Sequence, residues 1–339
     1  MDADDSLIAL AFNLEEEVTK GEAQDLIALQ YATKTATYIY EALCRLGYQT
    51  VMVPVKNDLQ AFARDLSQYS PQNTFVFNAC DGFAGDNFSA SLIPQALSDL
   101  GYKHTGATAT AIRRCTDKAR AKQFLMKKGV PTPAYQLFKK PEGDVNLQYP
   151  AIVKPVHEDA SMGIEERSVV TSEKELLERV DYVVSEYCQP ALVEEYIVGR
   201  EFAAAMWGNG RMEVMPIAEH DFSAVDDPLK SLLTYESKWM EDSFTYNEFK
   251  VICPASISSE EEENIKKVAI GAFRAIGLRD FGRVDMRYRD GVPYVIDINE
   301  LPDLAPDAGF FRTSQTAGYT YEQMVDRILT LAMHREGWI

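Results

Sequence analysis

Basic residues are in short supply: 34 Lys and Arg face 52 Asp and Glu, a formal net charge of −18 at pH 7. A chain this acidic repels a phosphate backbone, which argues against nucleic acid as a partner. Long apolar runs are also missing, and none approaches the ~20 residues that span a bilayer. The first residues, MDADDSLIALAFNL, begin acidic where a secretory signal begins basic. Cysteine is sparse and odd in number, at positions 44, 80, 115, 188 and 253, with no metal-ligand spacing. That excludes a disulfide framework or a zinc module and predicts reduced thiols in a cytoplasm. The four histidines are scattered, and none forms a metal or triad arrangement. No G-x-G-x-x-G follows the first apolar run, where the chain reads FNLEEEVTKGEA. A nicotinamide dehydrogenase is excluded with it. If such a protein binds an anion, a few placed lysines must receive it.

What is present is ordinary for a folded protein, with 46% hydrophobic and 25% charged residues. At 339 residues the chain is long for one core and predicts two or three domains. Its first third alternates predicted strands (7–14, 50–54, 74–78 and 102–105) with predicted helices (25–46, 57–68 and 89–100). This β-α-β-α order predicts a parallel sheet covered on both faces. A helix over 117–128, extended structure after Pro131 and Pro133, strands over 149–155 and 167–170 and a helix over 172–186 follow. Residues 201–218 read as strand, and 219–246 as a long polar stretch of the kind used for lids. Ser259-Glu260-Glu261-Glu262 carries a capping-box pattern for a helix that ends near Gly277. A final amphipathic helix is predicted over 321–334. No internal repeat or low-complexity tract is found.

The most informative stretch is GRVDMRYRDGVPYVIDINE, residues 282–300. It predicts strands over 283–287 and 293–298 joined at the Arg289-Asp290-Gly291 turn. Side chains alternate along a strand, so Arg283, Asp285 and Arg287 share one face and Asp297 and Asn299 share another. Pairing the strands puts two carboxylates, an amide and a guanidinium on one surface. Converging oxygen ligands suit Mg²⁺, which prefers a few carboxylates plus nucleotide phosphates. A solvated hairpin face is the plain alternative. Lys154 ends the apolar run Tyr149-Pro150-Ala151-Ile152-Val153, and a lysine there needs an anionic partner.

RVDMRYRDGVPYVIDINELPDLAP resembles the metal-binding hairpin of ATP-grasp enzymes, in the D-alanine–D-alanine ligase branch, with Asp297 replacing the usual Glu. The resemblance implies an ATP-grasp fold, α/β and α+β, behind an N-terminal parallel-sheet domain. It implies domains at 1–115, 116–189 and 190–339, with metal on Asp285, Asp297 and Asn299. Lys118, after Asp117 at a helix start, and Lys154 match phosphate-binding lysines. In LVEEYIVGRE, Glu194 with the backbone of Glu195 and Ile197 matches the adenine-reading hinge, and Glu201 the ribose carboxylate. HEDASMGIE, 157–165, matches the phosphate-covering loop and keeps Ser161 as a catalytic hydroxyl. Tyr235-Glu236-Ser237-Lys238-Trp239 is similar to a lid motif that brings Lys238 to the γ-phosphate. Arg283 matches the residue that stabilises the oxyanion. The implied chemistry uses ATP and one or two Mg²⁺, or Mn²⁺. It phosphorylates a small-molecule carboxylate and joins it to an amine, releasing ADP and phosphate. A cytoplasmic homodimer without nucleic-acid or membrane partners is implied as well.

Several substrate-side positions depart from the family. Asp81 and Asp86 replace the His and Glu of the loop after the third strand. The Glu that holds the first substrate's amino group has no clear equivalent, with Gln30 or Asp25 nearest. Ala160 replaces a Ser, and Trp239 replaces a Tyr of a hydrogen-bonded cluster, although Trp donates and cannot accept. Asp303 and Ala308 stand where the family has Gly and Ser beside the acceptor carboxylate. These departures predict a specialised small-molecule amide ligase, analogous to the mycosporine-amino-acid ligases. The alternatives are a D-alanine–D-alanine ligase of cell-wall synthesis and a non-catalytic binding module, the latter opposed by the intact carboxylates and lysines.

Overall fold

The apolar runs of the first third become neighbouring parallel strands. A computed structural model describes residues 6–14, 26–84 and 86–339. Asp25 and Gly85 lie outside the described residues, as does the side chain of Gln30. The first sheet contains β1 (Leu7–Asn13), β2 (Gln49–Val55), β3 (Thr74–Ala79) and β4 (Lys103–His104), in the order β2-β1-β3-β4. All of its pairings are parallel. Alternation along β1 feeds two cores, which is why the strand is apolar throughout. Ile8 and Leu10 join Ile39 and Leu43 of α1 (Leu26–Arg45), whereas Ala9 and Ala11 join Phe62 of α2 (Leu59–Leu66) and Leu97 of α3 (Leu92–Asp99).

Two short helices, α4 (Ala109–Cys115) and α5 (Lys118–Lys127), lead into the second sheet. Asp117 caps α5 by accepting from the Arg120 N–H. The sheet is formed by β5 (Tyr135–Phe138), β6 (Ala151–Pro155), β7 (Val169–Val170) and β8 (Ala191–Glu195), ordered β5-β8-β6-β7, with α6 (Glu173–Tyr187) on it. Because β8 belongs here, the break between this sheet and the next falls after Glu195, not at residue 190.

The third sheet has β9 (Arg200–Trp207), β10 (Glu213–Val214), β11 (Ala218–Asp221), β12 (Lys250–Ile252), β13 (Phe281–Arg289) and β14 (Val292–Asn299). Its order is β12-β11-β9-β13-β14, with β10 also on β9. The polar stretch after 218 is more ordered than its sequence predicts. It holds β11 and two one-turn helices, α7 (Tyr235–Trp239) and α8 (Phe244–Glu248), capped by Thr234 and Ser243. Elements this short have too few residues to display a periodicity. The capping box of α9 (Ser259–Ile276) uses Ser258 and Glu261, one residue earlier than the sequence pattern suggests. The chain finishes with α10 (Gly309–Thr316) and α11 (Tyr321–Arg335), the latter packed on α1.

Asp280 pins the parts together. Fully buried, it accepts from the Gly106 N–H at 2.7 Å, Asn209 Nδ2 at 2.9 Å and Arg335 Nε at 2.8 Å. A buried carboxylate keeps its charge only with such partners. The mixed α/β and α+β architecture agrees with the sequence reading.

Candidate active site

The β13–β14 hairpin turns at Asp290 and Gly291, whose φ values of +51° and +79° fit a tight two-residue turn. Its register pairs Arg283 with Asn299 and Asp285 with Asp297, so all four stand on one face. Arg283 holds Asp285 through both Nε and Nη2, at 2.7 and 2.8 Å. Asn299 Nδ2 donates to Asp285 at 3.0 Å, which leaves its amide oxygen for a cation. A bulge follows Asp285 and leaves Ile296 unpaired, so this residue does not simply alternate with Asp297. The freed Ile296 carbonyl accepts from Lys154 Nζ at 3.3 Å. Two carboxylates and an amide oxygen on a rigid hairpin fit Mg²⁺, a hard ion that takes oxygen ligands.

Cations surround this face. Lys118 Nζ lies 2.8 Å from Asp159 and 3.2 Å from Asp297. Burial works to discharge Lys118, but those carboxylates more than reverse it and raise its pKa. Burial likewise pushes Asp297 upward, yet Lys118 and Lys154 outweigh it and hold the carboxyl at about 2. Lys154 finds a protein anion as well, Glu194 Oε1 at 2.8 Å. The other Glu194 oxygen meets Lys122 Nζ at 3.0 Å, and the Glu194 side chain is 1% exposed. Lys122 escaped the sequence reading. Its signal was the four-residue spacing from Lys118, which puts both on one face of α5. Lys238 of α7 is half-buried and has no ion-pair partner among the described residues. Burial, with Arg283 nearby, lowers its pKa.

The hinge leaves β8 with its backbone partly committed. The Glu195 N–H donates to Ala134 O and the Tyr196 N–H to Pro150 O, each at 2.9 Å, and the Glu195 side chain pairs with Arg289. The Ile197 N–H has no partner among the described residues. Glu201 is buried and takes Arg287 Nε at 2.7 Å, so this hairpin arginine orients the expected ribose carboxylate. His220 of β11 stands directly across β9 from Glu201, a position that no sequence spacing betrayed.

The loop 157–165 covers this face under tension. Ala160 and Ser161 both have positive φ, +53° and +63°, where L side chains are strained. Three contacts hold them: Asp159 to Lys118, Ser161 Oγ to the Leu233 carbonyl at 3.1 Å, and Trp239 Nε1 to the Ala160 carbonyl at 3.0 Å. Ser161 therefore joins loop to lid, and Trp239 replaces a hydroxyl cluster with a single donated bond. The Trp239 ring also meets Tyr31 of α1 edge-on at 5.5 Å, and the Tyr31 hydroxyl donates to Asp307.

On the substrate side, Asp303 accepts from Thr35 Oγ1 at 3.1 Å and the Ala305 N–H at 2.9 Å. Ala308 stands at the N-cap of α10 without a side-chain cap. Asp81 lines a cavity of about 10 Å³ with Asn78, Cys80, Gly106, Glu300 and Leu301. Glu300 is pushed up to about 8 by burial and then by Asp159. Asp86 accepts from the Phe88 N–H and serves as a turn cap.

Comparison with known proteins accords with this geometry. Residues 124–330 match the family model described as D-ala D-ala ligase C-terminus. A protein of Sinorhizobium fredii described as uncharacterized is 31% identical over 310 residues, covering 89% of this chain and 88% of its own. A D-alanine–D-alanine ligase of Desulforamulus reducens is 27% identical, covering 90% and 95%. The fold matches the ATP-complexed D-alanine–D-alanine ligase from Bacillus anthracis at TM-score 0.74 and 20% identity, over 98% of this chain and 99% of that one. A D-Ala:D-Ser ligase from Enterococcus faecalis matches at TM-score 0.72 and 20% identity, over 97% and 99%. Matched over more than half its length by that family model, the chain belongs to the D-Ala–D-Ala ligase family and is an ATP-grasp ligase of that type.

Proposed function

We propose that this ligase joins a small-molecule carboxylate to an amine whose own carboxylate is absent, masked or held elsewhere, with a cationic acceptor favoured. The role is one of specialised biosynthesis, carried out by a cytoplasmic homodimer. The observation that carries the proposal is the acceptor loop. Asp303 and Asp307 add two negative charges there, and Ala308 has no hydroxyl to donate. A second carboxylate at close range would be repelled. A site that has lost a donor also loses its preference for the group that donor held.

In this reading a carboxylate oxygen of the acid attacks the γ-phosphorus of ATP and ADP leaves. The amine then attacks the acyl carbon, loses a proton and expels phosphate. Lys154 and Lys118 receive phosphates, and Lys238, uncommitted among the described residues, reaches the γ-phosphoryl group. Arg283, fixed by Asp285, stabilises the oxyanion, a preorganised role that supplies roughly 3–4 kcal/mol per donor. The Ile197 N–H and the hinge carbonyls face adenine, and Glu201 takes the ribose hydroxyls. Asp285, Asp297 and Asn299 would hold Mg²⁺, which supplies charge neutralisation at the phosphates.

The second reading is D-alanyl-D-alanine synthesis, favoured by relatives carrying that name. Phosphate release scored over a panel of amino acids and amines, with D-alanine included, separates the two. Turnover with a cationic amine and little dipeptide is expected. Efficient D-alanyl-D-alanine formation would return the chain to cell-wall synthesis.

A further inference from the structure

We propose that His220 is a nucleotide-contacting residue that donates a ring N–H to the triphosphate, from beside Glu201 on the face that carries the metal-binding pair. The proposal rests on the ATP-grasp reading of this face and adds a contact that reading does not contain.

Position comes first. Across the third sheet, His220 on β11, Glu201 on β9 and Arg287 on β13 form one rank. Two residues along, Ala218, Ala203, Asp285 and Asp297 form the next. Cross-strand partners share a face, so His220 stands on the surface that carries the carboxylates. Glu201, Asp285, Lys238 and Arg283 all act on the ring electrostatically. One is the expected ribose ligand next to it and the other three belong to the phosphate end, so the ring lies within electrostatic reach of both. Val251 pairs with it on β12, and the Phe222 ring lies near-parallel to it with centroids 6.4 Å apart at 24°.

Chemistry comes second. Neither ring nitrogen has a hydrogen-bond partner among the described residues. A part-buried ring whose nitrogens are uncommitted is free to take a partner in the working complex. Burial, joined by Lys238 and Arg283 against the two carboxylates, lowers the ring's pKa. An imidazole has at least one N–H to give in either protonation state. The carboxylate Glu201 is already held by Arg287, and phosphate oxygens are acceptors only.

The competing role is packing, since His220 extends an aromatic row through Phe222 to Phe249, whose rings lie 4.9 Å apart. Calorimetric titration of wild type, His220→Leu and His220→Gln with ATP–Mg²⁺, ADP–Mg²⁺ and adenosine separates the roles, with thermal melting as the fold control. Folded His220→Leu should bind ATP and ADP about five- to tenfold more weakly, with adenosine unchanged. Gln, which retains an N–H donor, should recover most of the loss. Wild-type affinity of the Leu variant for ATP overturns the proposal. So does weakened adenosine binding, which would put the ring on the ribose, or a Gln variant as impaired as Leu. Failure of the wild type itself to bind ATP would overturn the underlying ligase reading, a result distinct from a variant that binds normally.

Discussion

Replacing Glu194 by Gln removes the one negative charge between two buried ammonium groups, and its cost depends on what the lysines then do. Lys154 lies 2.8 Å and Lys122 3.0 Å from a Glu194 side chain that is 1% exposed. At an effective dielectric of ~20 each contact represents roughly 5–6 kcal/mol of attraction before desolvation is subtracted. The variant does not lose all of this, because a buried lysine without a partner can shed its proton. Burial already presses Lys122 down to about 8, with Glu194 holding against it. Discharging an ordinary lysine at pH 7 costs ~5 kcal/mol, which caps the penalty. Breaking a buried pair by removing one partner costs about 3–5 kcal/mol, in agreement with that cap. Urea unfolding of Glu194→Gln at pH 7 should therefore show a loss of ~3–5 kcal/mol. At pH 9.5 the cap falls to ~1.4 kcal/mol, because a neutral lysine is then cheap in both states. A loss below ~1 kcal/mol at pH 7, or one that does not shrink with pH, would refute the reasoning.

The hairpin and a distant histidine give two more predictions. Asp285→Asn should abolish turnover, since it removes a metal oxygen and releases Arg283 from its two bonds at 2.7 and 2.8 Å; unchanged ADP production by the folded variant would count decisively against the assignment. His104, 3% exposed, is held down to about 4 by burial, with Arg279 and Arg335 adding to it. Between pH 4 and 6.5 the unfolded chain takes up a proton there that the folded chain refuses, so stability present above pH 6.5 is lost as pH falls, by up to ~3 kcal/mol. Urea midpoints of wild type should decline through that window, and His104→Gln should flatten the decline; parallel pH profiles would exclude His104 as its source.

Much of the site was legible because alternation is a local property. Once Arg283 to Arg287 and Pro293 to Ile298 were read as a hairpin, the shared face of Asp285, Asp297, Asn299 and Arg283 followed without further information, and the register agrees. Lys154 was legible in a weaker sense. A lysine ending an apolar strand demanded an anion, but nothing in the strand said that Glu194 would answer before any phosphate did. Glu194 was expected at the adenine edge, and its carboxylate lies between two lysines that the expectation did not include. Lys122 was hidden for the opposite reason, since a lysine one turn beyond another on a polar helix looks like solvated surface. The lid resisted because its helices span five residues each, too few to show a period.

The proposed substrate side was least legible because its contacts join distant parts of the chain. Tyr31 meets Asp307 across 276 positions, and Thr35 meets Asp303 across 268. Neither pairing leaves a pattern in any window that a periodicity can test. Motif positions reveal which family residues are missing, as at Ala308 and Trp239, without revealing what took their place. The structure supplies that half for one of them. Where the family builds a hydroxyl cluster, this chain sets Trp239 edge-on to Tyr31 and hands its single donor to the Ala160 carbonyl. A side chain that closes the lid by donating to the backbone has no second hydrogen bond to give, so in the proposed function substrate recognition there passes to the acceptor loop and α1.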